Sequence, residues 1–280
     1  MNFTHTWEQA VEWLRQQPDR EEFVRHCYYD HPLEAAAERF YRSEEWRAVA
    51  DLLGPALPGK VLDIGAGRGI SSYAFAKTDC LVTSLEPYPS KVVGSEAIRA
   101  LARKADLPIA VVQESGEVMS FENNTFDVVY CRAALHHADD LQRLCVEATR
   151  VLKPGGTLLA TREHVVSKKA DLDKFLDSHA LHFLYGGENA YTLKEYLNAL
   201  KHAGLRIKRT LGPYDSVVNY APMSRAQRTE KIAQVLASRL GTRAGRRLAS
   251  YRSFEQMVAR YLSYRAKNPG RHYSFLAKKL

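Results

Sequence analysis

The chain has 280 residues and a formal charge of +8; 45% of its residues are hydrophobic and 26% charged. That composition describes an ordinary soluble globular protein, long enough for one large domain with appendages. It excludes a membrane-spanning helix, since no apolar run approaches the roughly 20 residues that cross a bilayer.

The start, Met1-Asn2-Phe3-Thr4-His5-Thr6-Trp7-Glu8, lacks the basic and apolar regions of a secretion signal, so a cytoplasmic location is expected. Cys27, Cys80, Cys131 and Cys145 are scattered without a Cys-x-x-Cys pair, which predicts free thiols and no cysteine-built zinc site. The charge is uneven. Residues 222–280 hold fourteen Lys or Arg against two acidic residues, while the remainder of the chain is mildly acidic. Such a segment suits an anionic partner or substrate, or simply forms a solvated basic face.

In chain order, residues 4–53 read as helical. Trp7, Val11 and Leu14 recur at helical spacing. Pro18-Asp19 can start a second helix, and a third stretch runs from about Pro32 to Leu53. Gly54-Pro55 and Pro58-Gly59 break the chain. From Lys60 short apolar strands alternate with helices. The strands are Val61–Ile64, Cys80–Leu85, Ile109–Gln113, Phe126–Cys131 and Thr157–Thr161. The helices are Ile70–Lys77, Ser95–Lys104 and Leu141–Leu152, the last closed by Lys153-Pro154-Gly155-Gly156. This alternation predicts an α/β fold with a mostly parallel sheet covered on both faces. Further on, Ala170–His179 and Leu193–Ala203 read as helices and Leu205–Leu211 as a strand. Met223–Leu240 and Leu248–Tyr264 form two basic helices, and His272–Ala277 a last strand.

Val61-Leu62-Asp63-Ile64-Gly65-Ala66-Gly67-Arg68-Gly69 carries the most information. A buried strand ends in a carboxylate and turns through three glycines, which let the backbone approach a ligand closely. Ligands of open α/β sheets bind beyond the carboxyl ends of the strands. The glycine spacing differs by one residue from the dinucleotide fingerprint G-x-G-x-x-G, and Asp63 is unsuited to a pyrophosphate. A carboxylate there suits a cofactor bearing an ammonium and a sulfonium.

At this point the chain resembles the class I S-adenosylmethionine-dependent methyltransferases, closely over about residues 60–161. Val61–Gly69 is similar to the first motif of that family, and Leu85-Glu86-Pro87 to its second. Phe126-Asp127-Val128-Val129-Tyr130 followed by Leu135-His136-His137 is similar to its fourth. Arg150–Leu158 is similar to the helix and turn after strand four. The resemblance implies a Rossmann-like sheet of seven mostly parallel strands in three layers, the last strand antiparallel. It also implies S-adenosyl-L-methionine as cofactor, with S-adenosyl-L-homocysteine as product.

The resemblance further implies roles. Gly65, Ala66, Gly67 and Gly69 would contact the methionine part, with Asp63 ordering the loop and its ammonium contacts. Glu86 would accept hydrogen bonds from both ribose hydroxyls, and Pro87 and Tyr88 would flank the adenine. Arg132 would contact the methionine moiety. The third motif departs from the family pattern: Ser115 stands where an acidic residue is common, with Gly116 facing the ring and Glu114 or Glu117 as substitutes. His137, or His136, would be a general base, or one histidine only packs the following helix.

The less regular segments leave alternatives open. Arg162-Glu163-His164 holds the acceptor or is a solvated loop. The stretch from His179 to Asn189, with Tyr185 in it, forms a lid or an acceptor wall, giving Tyr185 and Asn189 as substrate contacts beside Arg162 and His164. Two histidines and a glutamate crowd there, but their spacing gives no clean tetrahedral set, so no metal is expected. Aromatic residues of the N-terminal helices cover the cofactor or pack on the core. Arg239, Arg243, Arg246 and Arg247 form an arginine-rich turn suited to phosphate.

The expected organisation is an N-terminal helical cap (1–53), a cofactor-binding core (54–221), a basic helical insertion (222–270) and a final core strand (271–280). The expected function is methyl transfer to O, N or C of a small molecule such as a natural product, sugar or other metabolite. An anionic acceptor would suit the basic segment. A tRNA or rRNA methyltransferase, or a noncatalytic cofactor-binding protein, is the alternative.

Overall fold

The structure, a computed structural model, describes residues 5–280, so the start of the expected first helical stretch and of the N-terminal cap lies outside the described residues. Four helices come first: α1 (Trp7–Arg15), α2 (Glu21–His26), α3 (Leu33–Tyr41) and α4 (Glu44–Leu53). The alternating region follows as β1 (Lys60–Ile64), α5 (Ile70–Ala76), β2 (Leu81–Leu85), α6 (Ser95–Ala105), β3 (Ile109–Val112), β4 (Phe126–Arg132), α7 (Leu141–Val151) and β5 (Leu152–Val166). Then come α8 (Leu172–Ser178), α9 (His182–Tyr185), β6 (Tyr191–Thr192), α10 (Leu193–His202) and β7 (Leu205–Leu211). The chain ends with α11 (Val217–Tyr220), α12 (Arg225–Leu240), α13 (Thr242–Ser250), α14 (Arg252–Arg265) and β8 (Arg271–Lys279).

The strands form one sheet in the order β3-β2-β1-β4-β5-β8-β7, with the two-residue β6 pairing beside β5 as an eighth strand. β1 to β5 are mutually parallel, and β8 runs antiparallel to both β5 and β7. This is the expected α/β sheet, with seven strands on the main path. Apolar helix faces cover both sides. Leu144, Cys145 and Ala148 of α7 join Tyr196 and Leu200 of α10 against one face. Phe40, Trp46, Tyr73 and Phe75, from α3, α4 and α5, pack the other. On that side the rings of Trp46, Phe75 and Tyr130 meet edge to face at 4.8 and 5.1 Å. Such pairs add about 0.5–1.5 kcal/mol each beyond the area they bury. α3 and α4 therefore share the core of the sheet, while α1 and α2 pack in a separate cluster with Val93 and Leu181.

Three differences from the sequence reading have local causes. The stretch from Pro32 to Leu53 is two helices, because the Ser43 hydroxyl accepts the Trp46 N–H at 3.0 Å and starts a new one. The basic region holds three helices, with α13 between the two expected ones; Ile232, Ala233, Ala249 and Ala259 give them a small core of their own. The third difference matters most for the site. β5 does not stop at Thr161 but runs on to Val166. Its pairing with β8 steps from Ala160↔Phe275 to Glu163↔Tyr273, which leaves one extra residue on β5. That is a β-bulge, and Arg162 sits in it at φ +60°.

Candidate active site

The carboxyl end of β1 leads into the glycine turn. Gly65 has φ +64°, and a Cβ there would lie 2.8 Å from the Ala134 Cβ, so both the conformation and the space demand glycine. Its N–H donates to the Leu85 carbonyl at 2.9 Å, pinning the turn to the end of β2. Beneath the turn lie two carboxylates. Asp63 is 1% exposed; its Oδ2 accepts the hydroxyls of Ser71 and Ser72, each at 2.6 Å. Its Oδ1 is buried without a hydrogen-bond partner among the described residues. Burial pushes Asp63 up to about 6, although the two serines oppose the shift. Glu86 is 3% exposed and accepts the N–H of Gly67 at 2.7 Å and of Tyr88 at 3.0 Å. Burial pushes it up to about 7. Each Glu86 oxygen keeps acceptor capacity for a further donor.

The other residues read as cofactor contacts divide. Ala66 is buried in the turn, and Gly69 opens α5. Gly116 lies against the end of β1, where a Cβ would meet Ile64 Cγ2 at 3.0 Å. Ser115 is exposed and its hydroxyl accepts the Glu117 N–H at 3.2 Å. The Glu117 carboxylate accepts the Asp139 N–H at 2.8 Å. Pro87 is exposed, while Tyr88 is half-buried beside Trp7, their ring centroids 6.0 Å apart. Arg132 is engaged elsewhere. It donates to both Glu45 oxygens, at 2.9 and 3.3 Å, and its guanidinium lies 5.4 Å from the ring centroids of Tyr28 and Phe40.

Arg132 and Glu45 line a cavity of about 280 Å³, together with Tyr28, Arg39, Arg162 and Pro222. Arg162 donates to the carbonyls of Val218 and Ala221, at 3.3 and 2.9 Å, which fixes its direction. Arginines therefore share this wall with the acids Glu44 and Glu45 and with apolar residues such as Val217 and Met223, and Arg39 is paired with Asp30 as Arg132 is with Glu45.

The bulge at Arg162 sets up the opposite flank. Leu158, Ala160 and Val165 belong to one apolar cluster, so the extra residue carries the odd-numbered positions after it onto the face held before by even ones. Glu163, fully buried, turns inward with them. Its Oε1 accepts the N–H groups of Ala134 and Leu135 at 3.2 Å. Its Oε2 accepts the His136 N–H at 3.0 Å and lies 2.7 Å from His136 Nδ1. Burial pushes Glu163 up to about 7 against those donors.

His136 is 1% exposed, and desolvation first, then the nearby His137, holds it well below the ordinary imidazole range. It is enclosed and neutral rather than open to an acceptor. His137 is exposed, with Nδ1 2.8 Å from the Gly187 carbonyl. His164 has its ring centroid 4.7 Å from that of His136. Tyr185 donates its hydroxyl to Glu188 at 2.9 Å, and Asn189 accepts the N–H of Ala190 at 2.8 Å. Arg162 therefore lines the cavity, whereas His164 and Tyr185 belong to the histidine-rich side. Glu163 and Glu45 are the residues to which the sequence reading gave no role of their own, while Glu188 was weighed only as a metal ligand with the two histidines of its segment. Glu163 alone had a signal, as the acid between two candidate contacts. A bulge that aims it inward has none.

Residues 62–160 match the family model described as methyltransferase domain. Over 188 residues the chain is 30% identical to the 27-O-demethylrifamycin SV methyltransferase of Amycolatopsis mediterranei (strain S699), 66% of each chain. Over 123 residues it is 35% identical to the glycine/sarcosine/dimethylglycine N-methyltransferase of Actinopolyspora halophila, 42% of this chain and 21% of that one. The matched stretches thus span from about a fifth to just under two thirds of these relatives. Among solved structures, the geranyl diphosphate C-methyltransferase of Streptomyces coelicolor A3(2) superposes with a TM-score of 0.59 at 18% identity, covering 95% of this chain and 85% of that one. That likeness is one of fold.

Replacing Glu163 by Gln removes an acceptor from a fully buried cluster of donors. An unsatisfied buried group costs about 1–3 kcal/mol, so Glu163→Gln is expected to lower unfolding stability by about that amount in urea titration. An unchanged midpoint contradicts the role given to this carboxylate.

Proposed function

Because the chain belongs to the class I S-adenosylmethionine-dependent methyltransferases, we propose that it transfers a methyl group from S-adenosylmethionine to oxygen, nitrogen or carbon of a small molecule. The observation that carries this reading is the pair of buried carboxylates under the glycine turn. The free Asp63 Oδ1 is an acceptor suited to a cationic ammonium, and Glu86 retains the capacity to take ribose hydroxyls. Gly116 packs closely on Ile64 and Leu144, where a Cβ would crowd both side chains. When bound, the sulfonium supplies a methyl group that is already electrophilic. What remains for the protein is to hold the acceptor in line and exclude water.

His137 is the base in this reading. Its Nδ1 donates to the Gly187 carbonyl, so the neutral ring keeps Nε2 as the nitrogen that accepts a proton. The cavity beside Arg39, Arg132 and Arg162 supports an anionic acceptor of small size. The relatives support a small acceptor as well, since their names describe methylation of a rifamycin and of glycine derivatives. A second reading, RNA as acceptor, rests on the exposed Arg239, Arg243, Arg246 and Arg247 around α13.

Labelled cofactor incubated with the protein and a cell extract separates these readings. Label is expected in the small-molecule fraction. Label confined to polymer favours RNA, and none in either fraction contradicts methyl transfer. Cofactor binding is expected to depend on pH through Asp63. Its raised value means that the charged form, which an ammonium prefers, is present only above about pH 6. Affinity should therefore fall as pH drops through 6, by up to about tenfold per unit below it. Calorimetry on Asp63→Asn should show weaker binding at pH 8 and no such slope; a slope that survives belongs to another group, with Glu86 the candidate. His137→Ala should reduce turnover by about 10²–10⁴-fold if a proton must leave the acceptor, with cofactor affinity within twofold of wild type. Intact turnover removes the base.

A further inference from the structure

Five imidazoles meet at the carboxyl edge of β4 and β5. Ring centroids lie 4.2 Å apart for His136 and His137, and 4.7 Å for His136 and His164. From His164 the rings of His272 and His179 are 4.9 and 5.5 Å away. Glu188 stands among them. Its Oε2 is 3.8 Å from His136 Nε2 and 3.9 Å from His137 Nε2, and its Oε1 is 3.9 Å from His179 Nδ1.

The outward-facing nitrogens are held. His136 Nδ1 meets Glu163 at 2.7 Å, His164 Nδ1 meets the Gly270 carbonyl at 2.9 Å, and His272 Nδ1 meets the Asn219 carbonyl at 3.2 Å. A carbonyl only accepts, so the proton of His164 sits on Nδ1 and leaves a lone pair on Nε2. His179 Nδ1 is buried with no hydrogen-bond partner among the described residues. An imidazole whose second nitrogen is fixed by a carboxylate or a backbone carbonyl is the outer arrangement that metal-ligating histidines use. One donor atom from each of His136, His164 and Glu188 falls within 4.8 Å of the others.

We propose that His136, His164 and Glu188 bind a divalent transition-metal ion of the zinc class, with His179 beside them as a further donor. Two imidazoles and one carboxylate suit zinc or iron(II) better than magnesium or calcium, which prefer all-oxygen sites. Donor atoms around a tetrahedral ion with bonds of about 2.1 Å are roughly 3.4 Å apart, so the group draws inward on binding. Glu188 can supply that movement, since it lies between α9 and β6 rather than in a regular element. The sequence reading expected no metal because it weighed only the spacing within residues 179–189. The donors come instead from β4's end, β5 and that segment together.

The test reads metal binding directly and needs no methyl acceptor, so it stands apart from the activity. The full chain, stripped with a chelator, is titrated with Zn²⁺ and Co²⁺. One ion per chain is expected, with visible d–d bands for Co²⁺ and, at the zinc edge, X-ray absorption from imidazole nitrogens at about 2.0 Å. His164→Ala and Glu188→Gln should each weaken binding at least tenfold while the far-ultraviolet circular dichroism stays unchanged. Should either variant misfold, the wild-type absorption spectrum still decides. No bound ion, a sulfur shell, or affinity unaltered in both folded variants overturns the proposal.

Discussion

One buried carboxylate organises the carboxyl edge of the sheet. Glu163 takes three backbone N–H groups from the turn after β4 and holds the His136 ring as well. Without an anion or strong acceptor there, three amides would be buried unpaired, each at a cost of about 1–3 kcal/mol. The turn it fixes carries Ala134, whose Cβ closes against Gly65. The position of the glycine turn and that of the histidines thus depend on the same side chain. That side chain reaches its place only because β5 bulges at Arg162.

The bulge also accounts for the two different flanks of the site. Arg162, left-handed at φ +60°, points its guanidinium to the α11 carbonyls and the cavity. Its neighbours Glu163 and His164 serve the histidine side. A strand without the extra residue would keep strict alternation and put Glu163 on the opposite face. A left-handed non-glycine residue costs of order 1–3 kcal/mol, which the pairing of Arg162 N–H with the Ser274 hydroxyl at 3.2 Å helps to offset.

Much of this was legible in the sequence, for identifiable reasons. Strands such as Val61–Ile64 and Phe126–Cys131 are short apolar runs bounded by turn residues, so their existence and order could be read directly. The glycine turn and Asp63 follow from the local strand-end pattern, and Glu86 from the family resemblance. What was not legible depends on contacts between distant segments. The Arg132–Glu45 pair joins β4 to α4, 87 residues apart in sequence; Arg132 was read only as a cofactor contact and Glu45 carried no signal. The histidine group draws on β4's end, β5, the segment after α8 and β8. No periodicity within any one of them announces the others. The break at Ser43 was readable in principle, since a serine followed three residues later by the start of an apolar face is a helix-opening signal.

The first helix closes the molecule over both sides of this edge. Ala10, Val11 and Leu14 pack with Val93 and Leu181, and with Tyr88, Leu184 and Tyr185 at their margins. The Trp7 ring reaches within 3.8 Å of where a Gly67 Cβ would stand, and the His5 N–H donates to the Leu184 carbonyl at 3.2 Å. α1 therefore fastens the loop beyond β2 to the segment that carries Glu188. Whatever displaced α1 would therefore uncover the glycine turn and remove the packing of the segment around Glu188 together. One short helix thus holds both halves of the edge in place.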